Sequence, residues 1–151
     1  DQEHGLRPGT ENVPHIAGLG AAARLAREAL PAATANLATL RDDLHRRLAA
    51  EVPGLLLNGH AEQRLPNTLH VSFPGVSGRE LLAAGADAVS ASVGSACHSH
   101  GDAVSGVLAA LGCDAARARG AVRLSVGRFT AAEEVATAAA ALIAAWRRLA
   151  T

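Results

Sequence analysis

The chain of 151 residues contains no lysine, no methionine and no tyrosine, and only two cysteines, one tryptophan and two phenylalanines. Without a lysine there is no side-chain amine to condense with a carbonyl group, so this chain by itself forms no Schiff base through a side chain. Two cysteines, Cys97 and Cys113, are too few for a disulfide framework. With no apolar signal segment and no run of 18 or more apolar residues, they point to a reducing, cytoplasmic setting in which no structural disulfide is expected. Aromatic residues make up 2% of the sequence, which leaves little to stack against single-stranded bases. All fourteen basic residues are arginine, and fourteen acidic residues balance them to a formal charge of zero. No cationic field is left to hold a phosphate backbone or an anionic lipid, so the reading is no nucleic acid and no membrane.

The length suits one domain or a piece of something larger, and a chain of this size buries about 68 to 70% of its unfolded surface without help from a metal or a disulfide. The first residue is Asp1, inside a stretch that reads as a motif, so a piece of a longer chain is expected.

Apolar residues recur at helical spacing from Ile16 to Ala50, with Leu30, Ala33, Leu37, Leu40, Leu44 and Leu48 alternating steps of three and four. Thr10 and Asn12 are candidate caps ahead of Pro14, and Pro31 should kink the helix or restart it as a second one. Pro53 and Gly54 stop it. Leu55 to Leu57 and Leu69, Val71 and Phe73 read as strands, as do Ala88 to Val93 and Ala121 to Val126. Short helices are expected over Arg79 to Ala84 and Val104 to Leu111, the second stopped by Gly112. Thr130 and Glu133 form a capping box for a last helix with Val135, Leu142 and Leu149 seven apart and Trp146 on the same side. The fold class is therefore α/β (α+β): a long linking helix, then about four strands with helices packed on the sheet.

Three segments carry candidate chemistry. The loop Ser92-Val93-Gly94-Ser95-Ala96-Cys97-His98-Ser99-His100-Gly101-Asp102 follows a strand and places a thiol beside two imidazoles, an arrangement that lowers a thiol's pKa and lets it attack. The plain alternative is a small buried cysteine. Cys97, His98, His100 and Cys113 also offer zinc donors, although their spacing does not resemble paired ligand hooks; Cys113 itself reads as a packing residue. Arg7-Pro8-Gly9-Thr10-Glu11-Asn12 offers a hydroxyl and free amides at a helix start, which suits either an anion or an ordinary cap. Arg123 lies mid-strand with Ala121 and Ser125 on its face, so either it faces solvent or its small neighbours leave room for a carboxylate to meet the guanidinium fork. The other histidines, His4, His15, His45, His60 and His70, are scattered and read as surface or capping residues.

Taken together, Gly5-Leu6-Arg7-Pro8-Gly9-Thr10-Glu11-Asn12, Leu65-Pro66-Asn67-Thr68-Leu69, Ser92-Val93-Gly94-Ser95-Ala96-Cys97 and Val122-Arg123-Leu124-Ser125-Val126-Gly127-Arg128-Phe129-Thr130 resemble, in order and approximate spacing, the C-terminal part of cysteine desulfurases, class V aminotransferase-like enzymes of pyridoxal-phosphate fold-type I. The run through Asp102 is also similar to the selenocysteine lyase branch. The resemblance implies the end of a large cofactor domain at 1–13, linking helices at 14–50 and a C-terminal small domain at 51–151. It implies transfer of sulfur, or selenium, from cysteine or selenocysteine to an enzyme cysteine with release of alanine, followed by delivery to a sulfur-acceptor protein. Cys97 matches the nucleophile, Arg123 the residue that holds the substrate carboxylate, and Thr10 a hydroxyl on the cofactor phosphate of a neighbouring subunit, so a homodimer is implied. The family's cofactor lysine has no counterpart here, Pro8 stands where a serine is usual, and Val104-Ser105-Gly106 replaces a proline-containing helix start. The chain alone is therefore expected to be inactive. A noncatalytic fragment or interaction module that docks sulfur-acceptor proteins through the Cys97 loop is the alternative, with a small metal-binding protein behind it.

Overall fold

The structure is a computed structural model that describes residues 2–7, 9–94 and 105–151. It divides into two compact units, Asp1–Ala33 and Thr34–Thr151. In the first, a short 3-10 turn over Gln2–Gly5 leads to helix α1, Val13–Glu51, which runs on into the second unit. Of the two candidate caps it is Asn12 that acts. Its Oδ1 accepts from the His15 amide at 3.3 Å, and its carbonyl accepts from the Ile16 amide at 3.0 Å. The apolar residues of this unit, Ile16, Leu19, Leu25 and Leu30, are exposed.

Pro31 lies inside α1, which continues through it as one element rather than restarting as a second helix. The ring removes one amide donor, and the turns on either side keep the helix together. From Leu37 onward the steps of three and four form a buried stripe through Leu40, Leu44 and Leu48.

The second unit is built on a three-stranded antiparallel sheet in the order β1 (Leu56–Leu57), β2 (Thr68–Ser72), β3 (Ala121–Ser125). About four strands were expected. Ala88 to Val93 contributes only a single bridge, Ser92 opposite Arg123, because the stretch leaves the sheet edge on both sides of that residue. The alternation of side chains gives the sheet two unlike faces. Leu69 and Val71 of β2 pair with Leu124 and Val122 of β3 on the core face, beneath the α1 stripe and α5 (Ala132–Leu149). The opposite face carries Thr68, His70 and Ser72 against Ser125, Arg123 and Ala121.

Three helices complete the unit: α2 (Gly78–Ala84), α3 (Gly106–Ala110) and α4 (Ala115–Arg119). The last was not expected; its signal is Asp114, whose carboxylate accepts from the Arg117 amide at 2.8 Å. Leu108 of α3 and Cys113 pack with Ala121, covering one end of the polar sheet face. The expected Thr130 and Glu133 capping box is displaced by one residue. The Ala131 amide donates to Glu134 at 2.8 Å, and Thr130 Oγ1 instead accepts from the Gly127 amide at 2.9 Å, closing the preceding turn.

Candidate functional site

β3 brings Arg123 to the rim of an open groove of about 650 Å³ between the sheet edge and α2, walled by Leu82, Ala86, Val89, Ser92 and Ser125. The strand alternates buried and exposed residues from Val122 on, so Arg123 and Ser125 are exposed while Val122, Leu124 and Val126 are buried. The Arg123 main chain is clamped on both sides. It is in register with His70 of β2, and it exchanges two hydrogen bonds with Ser92, at 2.7 and 3.3 Å. The guanidinium, by contrast, has no hydrogen-bond or ion-pair partner among the described residues. A fixed backbone with a planar, five-donor head in a groove is suited to receive a carboxylate through two parallel hydrogen bonds.

Ser92 stands at the root of the loop that carries Cys97. Its Oγ donates to the Gly94 carbonyl at 2.7 Å and accepts from the Gly94 amide at 3.2 Å, while its main chain holds Arg123. Cys97, His98 and His100 lie outside the described residues. Cys113, the remaining cysteine, is buried, as expected of a packing residue. Its thiol lies 3.7 Å from Asn58 Oδ1.

Sequence reading missed Asn58 and undervalued His70. Asn58 is 7% exposed. Its Oδ1 accepts from Arg117 Nε at 2.7 Å, and its amide nitrogen lies 2.8 Å from Ser72 Oγ and 2.9 Å from His70 Nδ1. Arg117 also donates to the Leu57 carbonyl at 2.7 Å, which ties α4 to β1. His70 is not the surface histidine that its isolation in sequence suggested. It is half-buried, and burial, followed by the charge of Arg123, lowers its pKa below the ordinary imidazole value. The available signal was its place one position from Leu69 and Val71 in an alternating strand.

A model of the family described as aminotransferase class-V matches residues 1–137. The chain belongs to the aminotransferase class-V family. Among curated relatives of this class V chain, a cysteine desulfurase of Frankia sp. (strain EuIK1) is 46% identical over 143 residues, covering 91% of this chain and 33% of the relative. The selenocysteine lyase of Homo sapiens is 45% identical over 141 residues, covering 89% and 32%. Cysteine desulfurase IscS of Ehrlichia chaffeensis is 36% identical over 148 residues, covering 98% and 36%. A solved NifS-like protein superposes with a TM-score of 0.80 at 33% identity, covering 95% of this chain and 36% of that one. The chain thus spans about a third of the length of the relatives it matches. These class V relatives also bear out the α/β reading of the small sheet with helices on it.

The class V family implies pyridoxal phosphate in the full enzymes. Thr10 is exposed, its hydroxyl has no partner among the described residues, and it stands two positions before the Asn12 cap of α1. That fits a hydroxyl contribution to the cofactor phosphate. Covalent attachment does not fit, because the sequence holds no lysine to condense with the cofactor carbonyl.

Proposed function

We propose that this chain is the C-terminal portion of a pyridoxal-phosphate-dependent cysteine desulfurase, transferring sulfur, or selenium, from cysteine or selenocysteine to Cys97 with release of alanine. The observation that carries the reading is the Arg123 guanidinium in the groove, without a side-chain partner among the described residues, its backbone bonded to the root of the Cys97 loop. Pyridoxal phosphate, when bound, supplies the electron sink that loosens bonds around the substrate α-carbon. Arg123 holds the substrate carboxylate, which orients the sulfur relative to the loop. The Cys97 thiolate attacks that sulfur; a sulfur–sulfur bond forms as the carbon–sulfur bond breaks, and the electron pair departs with the carbon fragment released as alanine. The persulfide left on Cys97 is then passed to a sulfur-acceptor protein. Thr10 donates to the cofactor phosphate of a neighbouring subunit, so the working form is a homodimer, with 1–13 ending the large domain, 14–50 linking it and 51–151 forming the small domain. A cytoplasmic location agrees with the two cysteines.

The test is substitution in the full-length enzyme. Charge-assisted hydrogen bonds contribute about 1.5 to 3 kcal/mol. Arg123→Ala should therefore lower kcat/KM for cysteine by about 10- to 150-fold, with Arg123→Lys restoring only part because an ammonium lacks the planar fork. Cys97→Ala should abolish sulfur release while cofactor absorbance persists. Arg128, whose guanidinium lies 4.7 Å from the Phe129 ring centre, is the control. A larger loss from Arg128→Ala than from Arg123→Ala, with both folded, would refute the assignment.

A further inference from the structure

His70 stands directly across from Arg123 on the same face of the sheet, where opposed Cβ atoms lie about 4.5 to 5.5 Å apart. The Asn58 amide is fixed in orientation, because its oxygen already accepts from Arg117 Nε at 2.7 Å. Its NH2 group must therefore be the end facing Ser72 and His70, and an NH2 group only donates. His70 Nδ1 is accordingly the acceptor, which leaves the imidazole proton on Nε2. The Asn58 main chain pairs with His70 from the β1 side, its amide donating to the His70 carbonyl at 2.8 Å. Since the two ring nitrogens point in diverging directions, an Nδ1 turned toward Asn58 leaves Nε2–H facing away from β1, toward the side where β3 places Arg123. Nε2 has no hydrogen-bond partner among the described residues.

Among the described residues the charged group beside the ring is the Arg123 guanidinium on β3; Arg117 of α4 reaches it only through Asn58, and no carboxylate of those residues is bonded to it. Burial and the neighbouring cation both favour the neutral ring, the form in which Nδ1 can accept from Asn58. From this arrangement we infer that His70 is a further substrate-binding residue, a neutral imidazole whose Nε2–H donates to the amino-acid carboxylate held by Arg123. The inference rests on the reading of Arg123 given above. It makes Asn58 a positioning residue, one that acts by setting the tautomer of His70.

The experiment uses the full-length holoenzyme with histidine labelled by ¹⁵N. At pH 7.5, His70 should show the proton on Nε2, and saturating L-alanine, which carries the same carboxylate, should shift that resonance. His70→Ala should raise KM for cysteine about 10-fold or more with kcat changed less than about two-fold, since a hydrogen bond to a charged partner is removed equally from ground and transition states. His70→Gln, which keeps an N–H donor, should recover KM to within about three-fold of the parent. Three results overturn the inference: a proton found on Nδ1, a resonance indifferent to alanine, or His70→Ala and His70→Gln with equal KM values while both remain folded. The Arg123→Ala enzyme separates the two levels of argument. If it binds cysteine normally, the carboxylate reading of the groove falls and this inference with it; if it loses binding while His70→Ala keeps it, only the inference falls.

Discussion

At the scale of single residues, the candidate site depends on which polar groups are satisfied and which are left over. Arg117, Ser72, Cys113 and His70 each bond to Asn58, while the Arg123 side chain has no hydrogen-bond partner among the described residues. Buried polar groups are mostly partnered, so the Asn58 amide is structural, while the Arg123 head and the Nε2 side of His70 are available for a ligand. Asn58→Ala strands Arg117 Nε in a part-buried setting and leaves Ser72 Oγ without its partner. It should cost about 1 to 3 kcal/mol, read from urea denaturation with an unchanged m-value. A loss below about 0.5 kcal/mol would show that the cluster is held by its neighbours rather than by the amide.

At the scale of elements, spacing and close approach decide the packing. The last helix was expected to carry Val135, Leu142 and Leu149, seven apart, with Trp146 on the same side. Val135 and Leu142 are buried, joined by Ala139 and Ala145, whereas Leu149 is 38% exposed. At about 100° per residue Leu149 falls within the arc that Leu142 and Ala145 bury, so its exposure comes from its place as the last residue of α5 and not from its angle on the helix. Trp146 anchors the helix by donating from Nε1 to the Pro74 carbonyl at 3.0 Å. The approach of α4 to the end of β2 requires a glycine. A Cβ on Gly120 would fall 2.0 Å from the Phe73 carbonyl oxygen, which is backbone and cannot turn aside. Gly120→Ala should therefore destabilise by at least about 2 kcal/mol through overpacking. In a chain of this length that is a fall in Tm of roughly 4 to 8 °C by calorimetry. An unchanged Tm would mean that the strand end shifts freely.

At the scale of the whole molecule, zero net charge removes any large self-repulsion at neutral pH, so the response to acid comes from particular groups. His70 and His45 are both held below the ordinary imidazole value of 6.5, each first by burial and then by an arginine, Arg123 and Arg64 respectively. In the unfolded chain they titrate at the ordinary value. As pH falls below about 6.5 the unfolded state therefore takes up protons that the folded state refuses, and stability drops. Asp42 acts in the same direction at lower pH. The hydrogen bonds from Arg41 hold its carboxyl below the ordinary 3.8, so its contribution is complete above that value and is lost as pH falls through the folded one. Tm should decline from pH 7.5 to pH 5.0, and a His45→Gln, His70→Gln double variant should flatten the slope. A Tm that stays level in the parent would contradict the burial of both rings.

The sequence by itself determined the periodic elements, because a stripe such as Leu40, Leu44 and Leu48 or an alternation such as Leu69, Val71 and Phe73 is local chemistry repeated at a fixed step. It also carried the ordered motifs by which the chain is placed in the class V family, and the lack of a lysine that limits what the chain does alone. Tertiary structure alone decided the site's second layer. Asn58 and Arg117 are 59 residues apart. His70 and Arg123 meet only through the register of β2 against β3, and Ser92 reaches β3 through one bridge. Side chains that satisfy or orient one another across such distances leave no periodic trace in sequence, since it is the pairing of strands and the docking of α4 that bring them within hydrogen-bonding range.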